Sequence, residues 1–105
     1  MIDQLVVNHP YVIDRPRGSA HPRYPDVIYP LDYGYLDGTT TVDEGGIDIW
    51  VGSAPEKQVT ALVCTVDLVK QDAEIKLLIG CTEDEMRIVE HFHRTNLMGC
   101  LLVRR

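Results

Sequence analysis

A dense group of carboxylates and tyrosines between positions 29 and 48 carries the strongest chemical signal in this sequence. Carboxylates so close together repel one another unless a cation or basic groups neutralise them. Oxygen ligands without a neighbouring cysteine or histidine favour a hard ion such as Mg²⁺, and tyrosine hydroxyls can donate to phosphate oxygens. The segment therefore predicts a magnesium or phosphate site, although a solvated acidic hairpin has the same composition. The residues concerned are Tyr29, Asp32, Tyr33, Tyr35, Asp37, Asp43, Glu44 and Asp48.

Four short motifs follow one another along the chain. Residues 13–24 read IDRPRGSAHPRY, residues 29–35 read YPLDYGY, residues 43–48 read DEGGID before an apolar run, and residues 72–76 read DAEIK. This set resembles the soluble family I inorganic pyrophosphatases, and residues 13–24 are similar to a short, clostridial-type branch of that family. The corresponding family patterns are Tyr-Pro-x-Asn-Tyr-Gly-Tyr and Asp-Gly-Asp-Pro-x-Asp. One such motif is weak, whereas the ordered set, covering about residues 11 to 80, is fairly specific.

The resemblance implies Mg²⁺-dependent hydrolysis of inorganic pyrophosphate, or of a related small phosphoanhydride, to phosphate by a metal-activated water. Such a reaction needs metal ions that neutralise phosphate charge, groups that hold the leaving phosphate, and a water activated near neutral pH. It also implies a small-molecule substrate and a homo-oligomer. The implied roles are metal binding for Asp43, Asp48, Asp72 and Glu74, substrate binding for Arg23, Tyr29 and Lys76, and catalytic support for Tyr33, Asp48 and Asp14.

Departures from the family pattern leave a second function open. Gly45 stands where the family has the middle aspartate of its metal-binding motif, and Glu44 or Asp32 is a candidate replacement. The family's hairpin arginine is absent, and its Tyr-Lys pair falls on Thr95 and Asn96. The alternative is a catalytically impaired relative that binds a phosphorylated ligand or a protein partner, and an unrelated small β-barrel binding module is a third interpretation. Candidate substitutes for the missing phosphate ligands are Arg17, His21, His93 and Arg94.

Several short strands and one helix must position these residues. Apolar and β-branched runs predict strands at residues 27–29, 33–36, 47–51, 59–69, 75–79 and 100–103. Residues 82–85 read as a helix capping box, and the apolar spacing after them predicts a helix that ends near Asn96 and Gly99. The pattern predicts one mainly β domain of the α+β class over residues 1–105, a closed or nearly closed barrel with a C-terminal helix packed against it. The family resemblance implies that this barrel is OB-like.

Composition narrows the range of partners and compartments. The net charge of −6 argues against nucleic acid, because phosphate backbones are bound by basic surfaces. No apolar run reaches the about 18 residues of a membrane-spanning helix, and the acidic start is too short for a signal peptide. The cysteines Cys64, Cys81 and Cys100 lack CxxC spacing and indicate reduced thiols. We therefore expect a cytoplasmic protein without a nucleic-acid or membrane partner.

Overall fold

The computed structural model describes residues 2–41, 45–96 and 98–105, which contain two helices and six strands. The helices are α1 (Ile2–Asn8) and α2 (Glu83–Thr95). The strands are β1 (Tyr11–Arg15), β2 (Asp32–Leu36), β3 (Ile47–Val51), β4 (Val59–Asp67), β5 (Asp72–Ile79) and β6 (Met98–Arg104). The mainly β character and the α+β class predicted from the sequence are thus confirmed.

The strands form one mixed sheet in the order β1-β2-β3-β5-β4-β6. Neighbouring strands are antiparallel except β3 and β5, which run parallel. β4 does not lie beside β3 in the sheet. Instead β5 lies between them, antiparallel to β4 and parallel to β3. No ladder among the described strands joins β1 to β6, and the sheet is therefore open at these two strands. The predicted closure into a barrel is not confirmed.

Each face of the sheet packs under one helix, because successive side chains of a strand point to opposite faces. On one face, α2 contributes Met86 and Val89 to a core that includes Trp50. On the other face, α1 packs Ile2 and Val6 against a second core. Burial of apolar side chains on both faces supplies the main favourable term for folding. The largest fully buried side chains of the two cores are Leu36, Ile49, Trp50, Val63, Leu78, Ile79 and Val89.

The start of α2 confirms the capping box predicted from the sequence. The Thr82 hydroxyl accepts from the backbone N–H of Glu85 at 3.2 Å, and the Glu85 carboxylate accepts from the backbone N–H of Thr82 at 2.9 Å. The same carboxylate accepts from the N–H of Ser53 at 3.1 Å, so the cap also fixes α2 to the segment that follows β3. Neither helix in the described ranges is long and apolar enough to cross a membrane.

Helix α1 is a correction to the sequence analysis, which predicts a single helix. Residues 5–7 are apolar and mostly β-branched, a composition typical of strands. Ile2 and Val6 lie four positions apart and pack on the same core, so tertiary contacts decide the conformation of this seven-residue segment. Residues 27–29 are a second correction, because their expected strand is reduced to one isolated bridge between Ala20 and Ile28.

Strands β1 and β2 approach each other closely at Gly34, which pairs with Ile13. A Cβ atom at position 34 would lie 1.8 Å from the carbonyl oxygen of Val12, so a side chain cannot be accommodated without separating the strands. Immediately after this contact the register shifts between Ile13 and Arg15, which leaves Asp14 as the extra residue of a β-bulge.

Candidate functional site

A cavity of about 810 Å³ opens on the face of the sheet that carries α2. Its wall includes Asp14 and Arg15 of β1 as well as Met98 of β6, although these strands lie at opposite ends of the sheet order. The sheet must therefore curve around the cavity. Four acidic and three basic side chains line it, a nearly balanced set; they are Asp14, Asp48, Asp67, Glu74, Arg15, Lys70 and Lys76.

The buried ammonium group of Lys76 is the centre of the site. Lys76 is 5% exposed, and its Nζ donates to the Tyr33 hydroxyl, to Oδ2 of Asp48 and to Oε2 of Glu74, each at 2.9 Å. An ammonium has three protons, so this arrangement satisfies all of them. A buried charge is tolerated when it is paired and hydrogen-bonded in this way.

Protonation within this cluster follows from its surroundings. Burial works to lower the pKa of Lys76, but the neighbouring Tyr33 and Asp48 outweigh it and hold that pKa above its ordinary value. Burial raises the pKa of Tyr33 well above its ordinary value, with Lys76 acting in the opposite direction. At neutral pH the cluster therefore contains a charged lysine and a neutral phenol that can still act as a hydrogen-bond donor.

Strand alternation explains why these side chains meet. Glu74 and Lys76 are two positions apart on β5 and point to the same face. The ladder places Asp48 of β3 opposite Tyr35 of β2, two positions from Tyr33. The parallel pairing of β3 with β5 then brings Asp48 within reach of Lys76. Three strands that are separate in sequence thus supply one ionic cluster.

A second cationic group lies on the β1 side of the cavity. The Arg15 guanidinium donates a hydrogen bond to the hydroxyl of Tyr29, and Tyr29 itself is buried against Tyr33 with ring centroids 5.4 Å apart. Consecutive residues of a regular strand point to opposite faces, yet both Asp14 and Arg15 line the cavity. The bulge at Asp14 accounts for this, since bulges redirect side chains.

The α2 side of the cavity carries a buried histidine. His93 is 4% exposed, and its Nε2 accepts from the indole Nε1–H of Trp50 at 3.2 Å. Burial, together with the positive charge of Lys76, lowers the pKa of His93 to about 4. The imidazole is therefore neutral at physiological pH, with its proton on Nδ1, and adds no charge to the cavity.

Two surface segments line the cavity and are called its mouth: His21 and Tyr24 in one, and Asp67, Val69 and Lys70 in the other. On one side the Nδ1 atom of His21 accepts from the backbone N–H groups of Arg23 and Tyr24 at 3.0 and 3.3 Å. On the other side the carboxylate of Asp67 accepts from the N–H groups of Val69 and Lys70 at 3.0 and 3.1 Å, which fixes the turn between β4 and β5.

The structure brings most of the sequence-predicted site residues into this one cavity. Arg23 and Asp72 do not line it. Asp72 is exposed at the start of β5, and Asp67, its partner across the hairpin, faces the cavity instead. Asp43 and Glu44 lie outside the described residues. The predicted residues that do line the cavity are Asp14, Tyr29, Tyr33, Asp48, Glu74 and Lys76.

Of the candidate substitutes for the phosphate ligands of the resembled family, some line the cavity and others do not. His21 and His93 line the cavity, as do Thr95 and Asn96, but the side chains of Thr95 and Asn96 both bond to the carbonyl of Phe92 at the end of α2. The other candidates act elsewhere: the N–H of Arg17 donates to the carboxylate of Asp32, and Arg94 donates to the carbonyl of Cys100.

Sequence reasoning gave no role to Arg15, Trp50 or Lys70, although all three line the cavity. Trp50 could have been found from alternation, because it lies two positions after Asp48 on the same strand. Arg15 had no such signal, since the bulge that turns it inward depends on pairing with β2. Lys70 lines the cavity because of the conformation of the turn between β4 and β5.

The carboxylates suit an oxygen-preferring metal ion only in part. Asp48 and Glu74 converge on one point, the Lys76 ammonium. Within the described ranges no three histidine, cysteine, aspartate or glutamate side chains form a group that could hold a metal. Two carboxylates nevertheless fit Mg²⁺, which proteins often bind through one or two carboxylates together with substrate phosphates.

Compared with protein-family models and with curated proteins, the chain finds no match in either. The chemistry of the site must therefore be argued from its own residues.

Proposed function

We propose that this protein binds inorganic pyrophosphate, or a related small phosphoanhydride, in the cavity and hydrolyses it with Mg²⁺. The observation that carries the proposal is the buried Lys76 ammonium on the cavity floor, held by Asp48, Glu74 and the Tyr33 hydroxyl. The cations of the cavity suit phosphate, which needs positive charge. The neighbouring carboxylates and phenol suit Mg²⁺, which needs oxygen ligands.

The residues of the chain divide into two groups under this proposal. Lys76 and Arg15 bind phosphoryl oxygens, and the Tyr33 hydroxyl, neutral because of its raised pKa, donates a further hydrogen bond. Asp48 and Glu74 would hold Mg²⁺, which when bound neutralises phosphate charge and lowers the pKa of water. Binding of Mg²⁺ and phosphate together requires the three Lys76 hydrogen bonds to be exchanged for bonds to the ligand.

We also propose that the curved sheet corresponds to the OB-like barrel implied by the family resemblance, opened between β1 and β6. The presence of Asp14 of β1 and Met98 of β6 in the wall of one cavity supports this. Inward-facing side chains come from every strand of a barrel, so strands at the two ends of the order can line one cavity.

A catalytically impaired binding protein is the second candidate. Two observations favour it: Gly45 stands where the family has a metal-binding aspartate, and Lys76 already neutralises the two carboxylates that Mg²⁺ would need. In this case the cavity binds a phosphorylated ligand without turnover. Gly45→Asp should then create hydrolysis if the rest of the site is competent.

Phosphate release from pyrophosphate, measured with Mg²⁺ and with EDTA, tests the proposal. Asp48→Asn should reduce Mg²⁺-dependent release to background while the circular dichroism spectrum is unchanged. Asp84→Asn, on the exposed first turn of α2, is the matched control and should retain full activity. Asp72→Asn separates the sequence prediction from the structure, because its exposed position outside the cavity predicts near-normal release.

Release that survives EDTA or the Asp48→Asn change would refute the assigned site. Absence of release from the folded protein, together with pyrophosphate binding in calorimetry, would favour the second candidate. Absence of both would refute each of them.

A further inference from the structure

The cavity is larger than pyrophosphate requires. Its volume of about 810 Å³ falls within the range of about 300–1,000 Å³ that holds drug-sized organic ligands. Pyrophosphate consists of two phosphoryl groups that share one oxygen, and under the proposed function the ionic cluster of Lys76, Asp48, Glu74 and Tyr33 would hold it together with Mg²⁺. The rest of the cavity is lined by other residues, among them His21, Tyr24 and Val69.

Besides the charged Asp67 and Lys70, the mouth carries aromatic and apolar side chains. Tyr24 lines the cavity and is 57% exposed, with its ring centroid 5.1 Å from that of His21. Val69, in the other segment of the mouth, is 88% exposed. Tyr24 therefore offers an accessible aromatic face in the cavity, on which a flat group of a ligand can stack.

The aromatic residues also form a continuous wall from the mouth to the floor. His21 stacks nearly parallel to Tyr29, with centroids 6.2 Å apart and planes inclined by 11°, and Tyr29 contacts Tyr33, the hydroxyl partner of Lys76. The Nδ1 atom of His21 accepts two backbone N–H groups, so in the neutral ring the proton is on Nε2, which remains a donor.

We propose that the ligand is a nucleoside di- or triphosphate, with its phosphates at the Lys76 cluster and its base stacked on Tyr24, beside His21, at the mouth. This rests on the proposed function, since the same floor binds the phosphates. A flat base gains from an aromatic platform whatever its hydrogen-bonding edge, and Lys70 at the mouth adds positive charge near the bound phosphates. The large cavity and its two chemically distinct ends are thereby both used.

Isothermal titration calorimetry with Mg²⁺ tests this on the whole chain, and each probe is used as its methylene-bridged analogue, which cannot be hydrolysed during the titration. The probes are pyrophosphate, methyl diphosphate, which lacks a base, and ADP. ADP should bind at least fivefold more tightly than methyl diphosphate. Tyr24→Ala should weaken ADP binding by roughly 5- to 150-fold, the loss expected for one base–aromatic stack, and should leave pyrophosphate binding within about twofold. Tyr11→Ala, a partly exposed tyrosine of β1 that does not line the cavity, should change neither.

Equal affinities for ADP and methyl diphosphate in the unaltered protein would overturn the inference without any variant. Equal weakening of ADP and pyrophosphate by Tyr24→Ala would also overturn it. In both cases continued pyrophosphate binding leaves the proposed function standing. If the folded protein binds none of the three probes, the proposed function and this inference both fail.

Discussion

Replacing His93 by glutamine should remove much of the acid sensitivity of this fold. The imidazole is buried between Trp50 and the cavity, and its Nε2 accepts the indole proton of Trp50. Protonation at Nε2 would eliminate this acceptor and place a second positive charge near Lys76. Glutamine provides a carbonyl oxygen that can accept the same indole proton but does not titrate, so the variant isolates the effect of protonation.

The magnitude follows from the pKa of His93, which is lowered from 6.5 to about 4 in the folded protein. Because the folded pKa is the lower one, the stability contributed by the neutral ring is complete above pH 6.5. It is lost progressively as the pH falls from 6.5 to about 4. Through the linkage between proton binding and folding, this difference in pKa lowers the free energy of unfolding by about 3 kcal/mol between pH 7 and pH 4. That is a large fraction of the about 5–15 kcal/mol that stabilises a typical domain.

Urea denaturation followed by circular dichroism at pH 7, 5.5 and 4 measures this loss. The free energy of unfolding should be lower at pH 4 than at pH 7 in both proteins. This decrease should be about 3 kcal/mol smaller in His93→Gln than in the parent protein. His91→Gln, an exposed histidine two positions away on the same helix, should follow the parent. An identical loss in the parent and in His93→Gln would refute the argument that burial suppresses this protonation.

Three further perturbations test the fold and the ionic cluster. Gly34→Ala should destabilise the protein by about 3 kcal/mol or more in urea denaturation, because the new Cβ atom would collide with Val12. Gly99→Ala is the control: a Cβ atom there has no neighbour closer than 3.5 Å, so the change should cost less than about 1 kcal/mol. Equal effects of the two substitutions would contradict the close approach at Gly34. Thr82→Ala should cost about 1 kcal/mol by removing the cap, and an unchanged midpoint would contradict it. Lys76→Met should destabilise by about 1–3 kcal/mol at pH 7, because two facing, partly exposed carboxylates lose their counter-ion. Mg²⁺ should raise the melting temperature of this variant more than that of the parent, and an equal Mg²⁺ effect would count against a metal site there.

Local patterns explain the features that the sequence predicted well. Glu74 and Lys76 share a face because they are two positions apart on a strand, and any β5 with roughly these bounds would place them together. The capping box at Thr82 depends on four consecutive residues, so it could be identified without knowledge of the tertiary fold.

Other features depend on contacts between distant segments. His93 becomes buried because α2 packs onto the strand that carries Trp50, and no local pattern encodes that contact. Arg15 faces the cavity because of a bulge set by pairing with β2. Whether Asp67 or Asp72 lines the cavity depends on which strand of the β4–β5 hairpin faces it. The sequence analysis selected Asp72 because this residue lies in a motif that resembles the family pattern.

The parallel pairing of β3 with β5 has a consequence for the order of folding. Glu74 and Lys76 lie on a hairpin whose strands are close in sequence, and we expect this hairpin to form early. Asp48 can join them only when β3 docks beside β5, a non-local step of the kind that slows folding. The ionic cluster is therefore completed late, and a mutation far from the cavity that hinders docking will slow the appearance of ligand binding during refolding. Refolding kinetics followed by ligand binding would distinguish such a mutation from one that damages the site itself.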